Sequence, residues 1–402
     1  MNCSYLVSGC RTPIGKYLGG LATSTAAQLG GAAIAEAVRR SNVDPNSINH
    51  VIMGQVIAAG AGQSPARQAA THAGLPTSIG AATINKVCGS GLFAIMLADM
   101  AIRAGEYQRV IAGGMESMSQ APHLLRNGRT GWKYGEQTLL DSNDVDGLRC
   151  AQLGLAMGCI AEWVASQAAI TRDDQDSWAV RSHQLAINSG KALSAEIVPI
   201  QVMEAKKQVI RSSDEGPRED CTLEGLAKLK PVFASPLVQA GCGSNDPCSV
   251  TAGNASTLSD GAAAVVVVDE STVRELKSDV LFRIVAHSHF ADDHQRIFTA
   301  PVNAIRRLLE KTHKSVSEID LFEINEAFAA QTIACVQKLQ LDVERVNVRG
   351  GAIALGHPLG CSGTRILVTL MHIMLAQEKR LGVAALCLGG GEAVAMMIER
   401  VS

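Results

Sequence analysis

The sequence predicts an α/β fold on three observations. Short apolar strands alternate with helices over most of the chain. A unit of polar turn, apolar helix, strand and glycine-rich turn occurs twice, once in each half. Aromatic residues make up only 3% against 38 glycines, so the core is built from Ala, Val, Ile and Leu, with backbones approaching closely at glycine.

In chain order, residues 5–8 read as a strand that enters a Gly/Pro turn, and 26–40 (AAQLGGAAIAEAVRR) as a helix. Residues 50–58 (HVIMGQVIA) read as a strand, 91–104 as a helix apolar nearly all round, and 109–113 as a strand. The second half continues with strands at 281–287, 321–324 and 382–387 and helices at 302–314, 327–338 and 364–377. The repeat lies within this pattern. Asn85 leads into GSG (89–91), a long helix and a strand ending in GGMES (113–117); Asn347 leads into GCSG (360–363), a long helix and a strand ending in GGGEA (389–393). Two such βαβ-type copies would stack their apolar helices at the centre and bring their loops to one end.

Residues 115–250 are different: more polar, richer in Met, Arg and Asp, with helices expected at 160–168 and 174–189 and a loop at RSSDEGPRED (211–220). No Pro/Ser linker flanks them, so they read as an insertion over the active face. The expected organisation is 1–114 for the first part of the N-terminal half, 115–250 for the insertion, 251–270 for the last strand of that half, and 271–402 for the C-terminal half.

A net charge of -2, with 18% charged residues, gives no support for nucleic-acid or membrane-surface binding. The N-terminus, MNCSYLVSGCRTPIG, lacks a basic region followed by an apolar one, and no run of eighteen apolar residues is seen. The last residues, IERVS, are not a peroxisomal signal. Eleven cysteines without a CxxC pair, and no secretory signal, point to free thiols and a cytoplasmic setting. The spacing of Cys242 and Cys248 reads as a loop coincidence.

Four features carry chemistry. In NKVCGSG (85–91), Cys88 precedes a long helix, whose dipole and free N–H groups favour a thiolate and can hold an oxyanion. In GGAIALGHPLGCSG (350–363), His357 sits between glycine-rich arms before Pro358, a context that presents an imidazole to a cleft. In AALCLGGG (384–391), Cys387 ends a buried strand beside three glycines with free N–H groups. In NEAFAAQ (325–331), Asn325 and Glu326 stand at a strand-to-helix junction, where an Asn N-cap with an acidic first turn is the plainer reading. Two cysteines, a histidine and an asparagine suit a reaction in which one thiol carries an acyl group and another group moves a proton.

Taken together, NKVCGSG, VTAGNAS, NEAFA, GGAIALGHPLGCSG and CLGGG resemble the thiolase family, most nearly its short-chain biosynthetic branch of acetyl-CoA acetyltransferases. The resemblance runs from the first strand to the last few residues. It implies two similar halves stacked as five layers, α-β-α-β-α, with an inserted loop domain that binds coenzyme A. It implies reversible condensation of two acetyl-CoA to acetoacetyl-CoA, within fatty acid metabolism. By position, Cys88 would take the acyl group and His357 would accept its proton. His357 and a water held by Asn325 would form one oxyanion hole, and the N–H groups of Cys88 and Gly389 a second. Cys387 would remove the α-proton of the second acetyl-CoA. Arg218 would meet the adenine and phosphate end of coenzyme A and Ser256 the pantetheine, with Leu148, Met157, Phe233, Ala252, Leu258 and Phe328 as apolar walls. No metal and no cofactor beyond coenzyme A thioester substrates is implied; a dimer or tetramer is.

Three departures from the family pattern stand out. Ala156-Met157-Gly158 replaces HMG or NMG; IFTAP (297–301) replaces MGTGP; and Glu392 follows the triple glycine where a small or neutral residue is usual. The second of these leaves a broader chain length, that of a 3-ketoacyl-CoA thiolase, as an alternative. A β-ketoacyl synthase fits less well because of Cys387, a cysteine hydrolase leaves the second cysteine idle, and the intact residues argue against a non-catalytic acyl-CoA or lipid-binding relative. HSHFADDH (287–294) has its acidic residues one place late for a metal motif and reads as a half-exposed strand. RNGRTGWK (126–133) reads as a subunit-contact loop.

Overall fold

The computed structural model describes residues 3–204, 207–233, 248–276 and 281–401; Cys242 lies outside them. The first half runs β1 (Ser4–Arg11), α1 (Ala26–Ser41), β2 (His50–Gly54), α2 (Pro65–His72), β3 (Gly80–Ile84), α3 (Ser90–Arg103) and β4 (Arg109–Ser117). The intervening segment contributes α4 (Met157–Gln167) and α5 (Arg172–Asn188), after which β5 (Ser259–Asp269) returns to the sheet. The second half runs β6 (Phe282–Ala291), α6 (Ala300–Thr312), β7 (Leu321–Ile324), α7 (Ala329–Leu339), α8 (Leu359–Ala376), β8 (Leu381–Leu388) and β9 (Glu392–Arg400). Local chemistry sets several ends. Thr25 and Gln28 form a capping box at the start of α1, and α6 carries Pro301 in its first turn.

The strands lie in the order β7-β8-β9-β6-β1-β5-β4-β2-β3, part of a ten-stranded sheet. The duplication is visible in this order. In each half a parallel pair, β2/β4 or β7/β8, is followed by an antiparallel partner, β5 or β9. The counterpart of β3 in the second half shrinks to a single bridge between Phe322 and Val346. The halves meet edge to edge over two residue pairs, Tyr5 with Arg283 and Leu6 with Phe282, so one ladder bends around a shared interior.

Three apolar clusters make the layers. The central one joins α3 and α8 to the inner faces of both half-sheets, through Leu92, Ile95, Leu367, Met371, Val265 and Met396. A second packs α1 and α2 on the outer face of the first half, and a third packs α6 and α7 on the outer face of the second. This is the expected five-layer arrangement. Helix α8 is 18 residues long and apolar enough to cross a membrane, against the expectation of no such stretch. Its residues are nearly all buried between the two sheets, which accounts for the composition.

The repeat's glycines let the central helices touch. A Cβ on Gly91 would lie 2.6 Å from Thr364 Oγ1 and 2.9 Å from the carbonyl oxygen of Gly360, closer than real side chains come. Three expected boundaries moved for identifiable reasons. The strand at 50–58 stops at Gly54, because the N–H groups of Val56 and Ile57 donate to the Glu116 carboxylate instead of a neighbouring strand. Helix α8 starts at Leu359, directly after Pro358, so the GCSG glycines are helical. Helix α7 begins at Ala329, because Phe328 is extended and the Ala327 N–H donates to Gln331 Oε1.

The 115–250 segment is tied to both halves by buried polar contacts. Arg11 of β1 pairs with Glu196 at 2.5 Å and Asp214 at 2.6 Å. Glu326 accepts from Trp178 Nε1 and Ser182 Oγ of α5. Such buried charge is stable only with partners in place, so it fixes the segment's seat on the core.

Replacing Gly91 with Val should force the central helices apart. We expect a loss of about 1–3 kcal/mol in chemical denaturation; an unchanged midpoint would contradict the close contact.

Candidate active site

The first element of the site is the turn after β3. Asn85 Oδ1 accepts the Val87 N–H at 2.9 Å, and its Nδ2 donates to the carbonyl of Val56. Ser90 Oγ accepts the Lys86 N–H at 2.8 Å and donates to the Val87 carbonyl at 2.6 Å. Between these ties Val87 is held at φ 46°, a left-handed conformation that a β-branched residue seldom adopts. The turn thus presents Cys88 to a cavity two residues before α3 begins.

The second half supplies the other groups. His357 is almost wholly buried between Gly356, at φ 107°, and Pro358, and its backbone N–H donates to the carbonyl of Thr257. Cys387 is at the end of β8, paired in register with Ala393 of β9. Cys88, His357, Cys387 and Gly389 all line one cavity of about 220 Å³. Of the expected walls, Leu148, Met157, Phe233, Ser256, Leu258 and Phe328 line it as well. The 297–301 stretch, on which the resemblance makes chain length depend, contributes Ile297 and Phe298 to the cavity too. The Phe298 ring meets Phe328 edge-on with centroids 5.3 Å apart, and Phe233 meets Phe328 at 6.3 Å.

Arg218 and Ala252 do not line the cavity. The backbone N–H of Arg218 donates to His183 Nδ1 at 3.1 Å, and Ala252 lies exposed in the turn before Asn254. Asn325 is not a helix cap: it is fully buried behind His357, and its Oδ1 accepts from Arg365, which pairs with Glu323 at 3.0 Å. Glu326 is likewise not a first-turn acid but an acceptor for Trp178, Ser182 and Asn347. Glu392 neither contacts Cys387 nor faces freely outward; it pairs with Lys86. The HSHFADDH stretch lies on β6, where His287 faces Asp99 at 3.1 Å. Among the described residues no cluster of three or more His, Cys, Asp or Glu is arranged to hold a metal.

The hydrogen bonds around His357 assign its tautomer. Ser362 Oγ lies 2.9 Å from the carbonyl of Pro358 and 2.6 Å from His357 Nδ1; with its proton on the carbonyl, it accepts from Nδ1. In that arrangement the ring proton is on Nδ1, and Nε2 keeps its lone pair. Asn325 Nδ2, at 3.5 Å from Nδ1, is then a contact and not a hydrogen bond. Sequence reasoning missed Ser362, although it lies inside the quoted motif five residues after His357. It also missed Glu116, which accepts N–H groups from Val56, Ile57 and Gly360 and so fastens the segment after β2 to the start of α8.

Electrostatics correct one expectation. Cys88 accepts backbone N–H bonds from itself and Gly389, yet burial outweighs them and pushes its thiol up to about 12. Burial, with the proximity of Cys88 and Cys335, also raises Cys387 well above its ordinary value. Burial and then the nearby Arg365 charge push His357 down to about 3. The resting site therefore holds two thiols and one neutral imidazole. Only His357 is free to take a proton.

The family description "Thiolase, N-terminal domain" matches residues 4–271, and "Thiolase, C-terminal domain" matches 278–400. The chain is 46% identical to a probable acetyl-CoA acetyltransferase of Escherichia coli K12 over 98% of both chains. It is 44% identical to a probable acetyl-CoA acyltransferase of Staphylococcus epidermidis, again over 98% of each. The crystal structure of the Bacillus anthracis acetyl-CoA acetyltransferase superposes with a TM-score of 0.95 at 40% identity, covering 100% of this chain and 99% of that one.

Two outcomes test this geometry. Ser362→Ala frees the His357 tautomer and should slow acylation of Cys88 by about tenfold or more, while the loss of one hydrogen bond costs about 1 kcal/mol of stability. A raised thiol pKa lowers the thiolate fraction at every pH below it. Iodoacetamide labelling of Cys88, followed by mass spectrometry, should keep rising above pH 9; a plateau near pH 8 would contradict the assignment.

Proposed function

The chain belongs to the thiolase family, and from that premise we propose that it condenses two acetyl-CoA molecules to acetoacetyl-CoA and free CoA, and runs the reverse cleavage. The observation that carries this reading is the meeting of Cys88 from one half with His357, Cys387 and Gly389 from the other around one apolar cavity.

In this mechanism Cys88 Sγ attacks the thioester carbon as His357 Nε2 takes its proton. The N–H groups of Cys88 and Gly389 hold the oxygen of the tetrahedral intermediate, each such donor being worth about 3 kcal/mol when aligned. Collapse breaks the bond to CoA sulfur, which leaves as the thiol after taking a proton from Cys387. Cys387 is then the thiolate that removes the α-proton of the second acetyl-CoA. The enolate oxygen is received by His357, which carries the proton gained from Cys88, with Asn325 supporting the imidazole from behind. The carbanion attacks the acetyl carbon on Cys88, and Cys88 leaves as the thiol. Protons balance over the two half-reactions, and ping-pong kinetics follow from the covalent intermediate.

Short acyl chains fit best, because the ring of Phe298 fills the wall where the resemblance expects a glycine. We also propose a homo-oligomer: Trp132, Tyr134 and Leu139 stand exposed on one segment, more apolar surface than a free loop usually carries. The coenzyme A nucleotide is proposed to extend out of the cavity toward Arg218.

Cys88→Ser should abolish label transfer from acetyl-CoA to protein, and a labelled variant would remove Cys88 as the acyl carrier. Cys387→Ala should still acylate but fail to exchange the α-proton of acetyl-CoA. Thiolysis of 3-ketoacyl-CoAs of rising length should fall off beyond acetoacetyl-CoA; equal rates for long chains would favour a 3-ketoacyl-CoA thiolase.

A further inference from the structure

The two backbone N–H groups that face the Cys88 sulfur come from different halves of the molecule. One is on the Cys88 turn and the other on the Gly389–Gly391 turn between β8 and β9. Both turns sit in conformations that need holding. Val87 has φ 46°, and Gly390 and Gly391 have φ 93° and 85°. No backbone hydrogen bond joins the two turns directly among the described residues. Apolar packing joins them: Val87 lies against Gly389, and Leu388 and Val394 lie against Gly89.

Among the described residues the side-chain polar link between the turns is an ion pair, Lys86 Nζ to Glu392 Oε2 at 2.5 Å. Lys86 is two residues before Cys88, and Glu392 is three after Gly389. Both side chains are mostly buried, at 20% and 31% exposure, and the Lys86 ammonium also lies 5.3 Å from the centroid of the Phe93 ring. An anchored stem and low exposure reduce the entropy cost and the screening that make surface pairs weak. On its far side the glycine turn is held by the Asp292 N–H on the Gly391 carbonyl and by His294 Nδ1, 2.9 Å from the Gly390 carbonyl. The turn is therefore clamped from both sides. Toward Cys88, the ion pair adds a polar clamp to the apolar packing.

We propose that Lys86 and Glu392 are positioning residues that set the spacing of the Cys88 and Gly389 N–H donors across the seam between the halves. Neither touches substrate. Their contribution is to keep both donors within hydrogen-bond range of one oxygen, a condition that steeply governs what such donors are worth. The proposal rests on the thiolase reading above and adds two residues to it that lie outside the cavity lining.

The test compares Lys86→Met, Glu392→Gln and the exchanged pair Lys86→Glu/Glu392→Lys in the full chain, with labelled acetyl-CoA as probe. Each single variant should slow acylation of Cys88 by about tenfold, with less than about a twofold change in KM for acetyl-CoA. The exchanged pair should recover most of the lost rate, and raised salt should slow the unmodified protein but not the single variants. A merely structural role would instead lower thermal midpoints and the active fraction without changing the acylation rate constant of the folded enzyme. Single variants that acylate at the unmodified rate, or an exchanged pair no better than either, would overturn the positioning role alone. An unmodified protein that forms no acyl-enzyme would overturn the thiolase reading and this inference with it.

Discussion

The contact between the two central helices is the constraint on which the rest depends. Glycines at 91 and 363 remove the side chains that would separate them, and each helix then begins within reach of the other's leading turn. That approach brings the Cys88 turn and the His357 loop to the same end of the molecule. Glu116 makes the arrangement specific, since one carboxylate receives N–H groups from Val56 and Ile57 of the first half and Gly360 of the second. A longer spacing would leave a buried acid short of its donors, a cost of at least a hydrogen bond and more for a charged group.

The same burial decides how protons are distributed. A helix start alone suggests a ready thiolate, but the apolar walls around Cys88 and Cys387 work against charge more strongly than the local N–H groups favour it. Arg365, paired with Glu323 and braced on Asn325, adds a cation near His357 that helps keep the imidazole neutral. The resting site therefore holds its thiols uncharged. This protects two soft nucleophiles from idle reaction.

Much of this was legible in the residues. Periodicity located the strands and helices of both halves, and the repeated glycine turns revealed the duplication and the shared end. The misses have a common cause. Glu326 read as a first-turn acid and Gln55–Ala58 as strand because each obeys a local rule that a distant partner overrides: Trp178 and Glu116 respectively. Ser362 escaped notice because a serine in a glycine-rich stretch carries no signal until its hydroxyl is seen between Pro358 and His357. Partnerships across tens to hundreds of residues are invisible to spacing.

The edge-to-edge seam, only two residue pairs long, joins halves that descend from one pattern yet no longer do the same work. The first copy presents Cys88 to the cavity from its glycine turn; the second buries Cys361 of its own turn and supplies a serine-braced histidine and Cys387 from the following strand. In the proposed chemistry each half is thus incomplete, the first holding the acyl group and the second handling protons. A chimaera of two relatives cut at this seam would inherit its carrier from one parent and its acid–base set from the other. The half, more than the residue, is the natural unit of inheritance for this site.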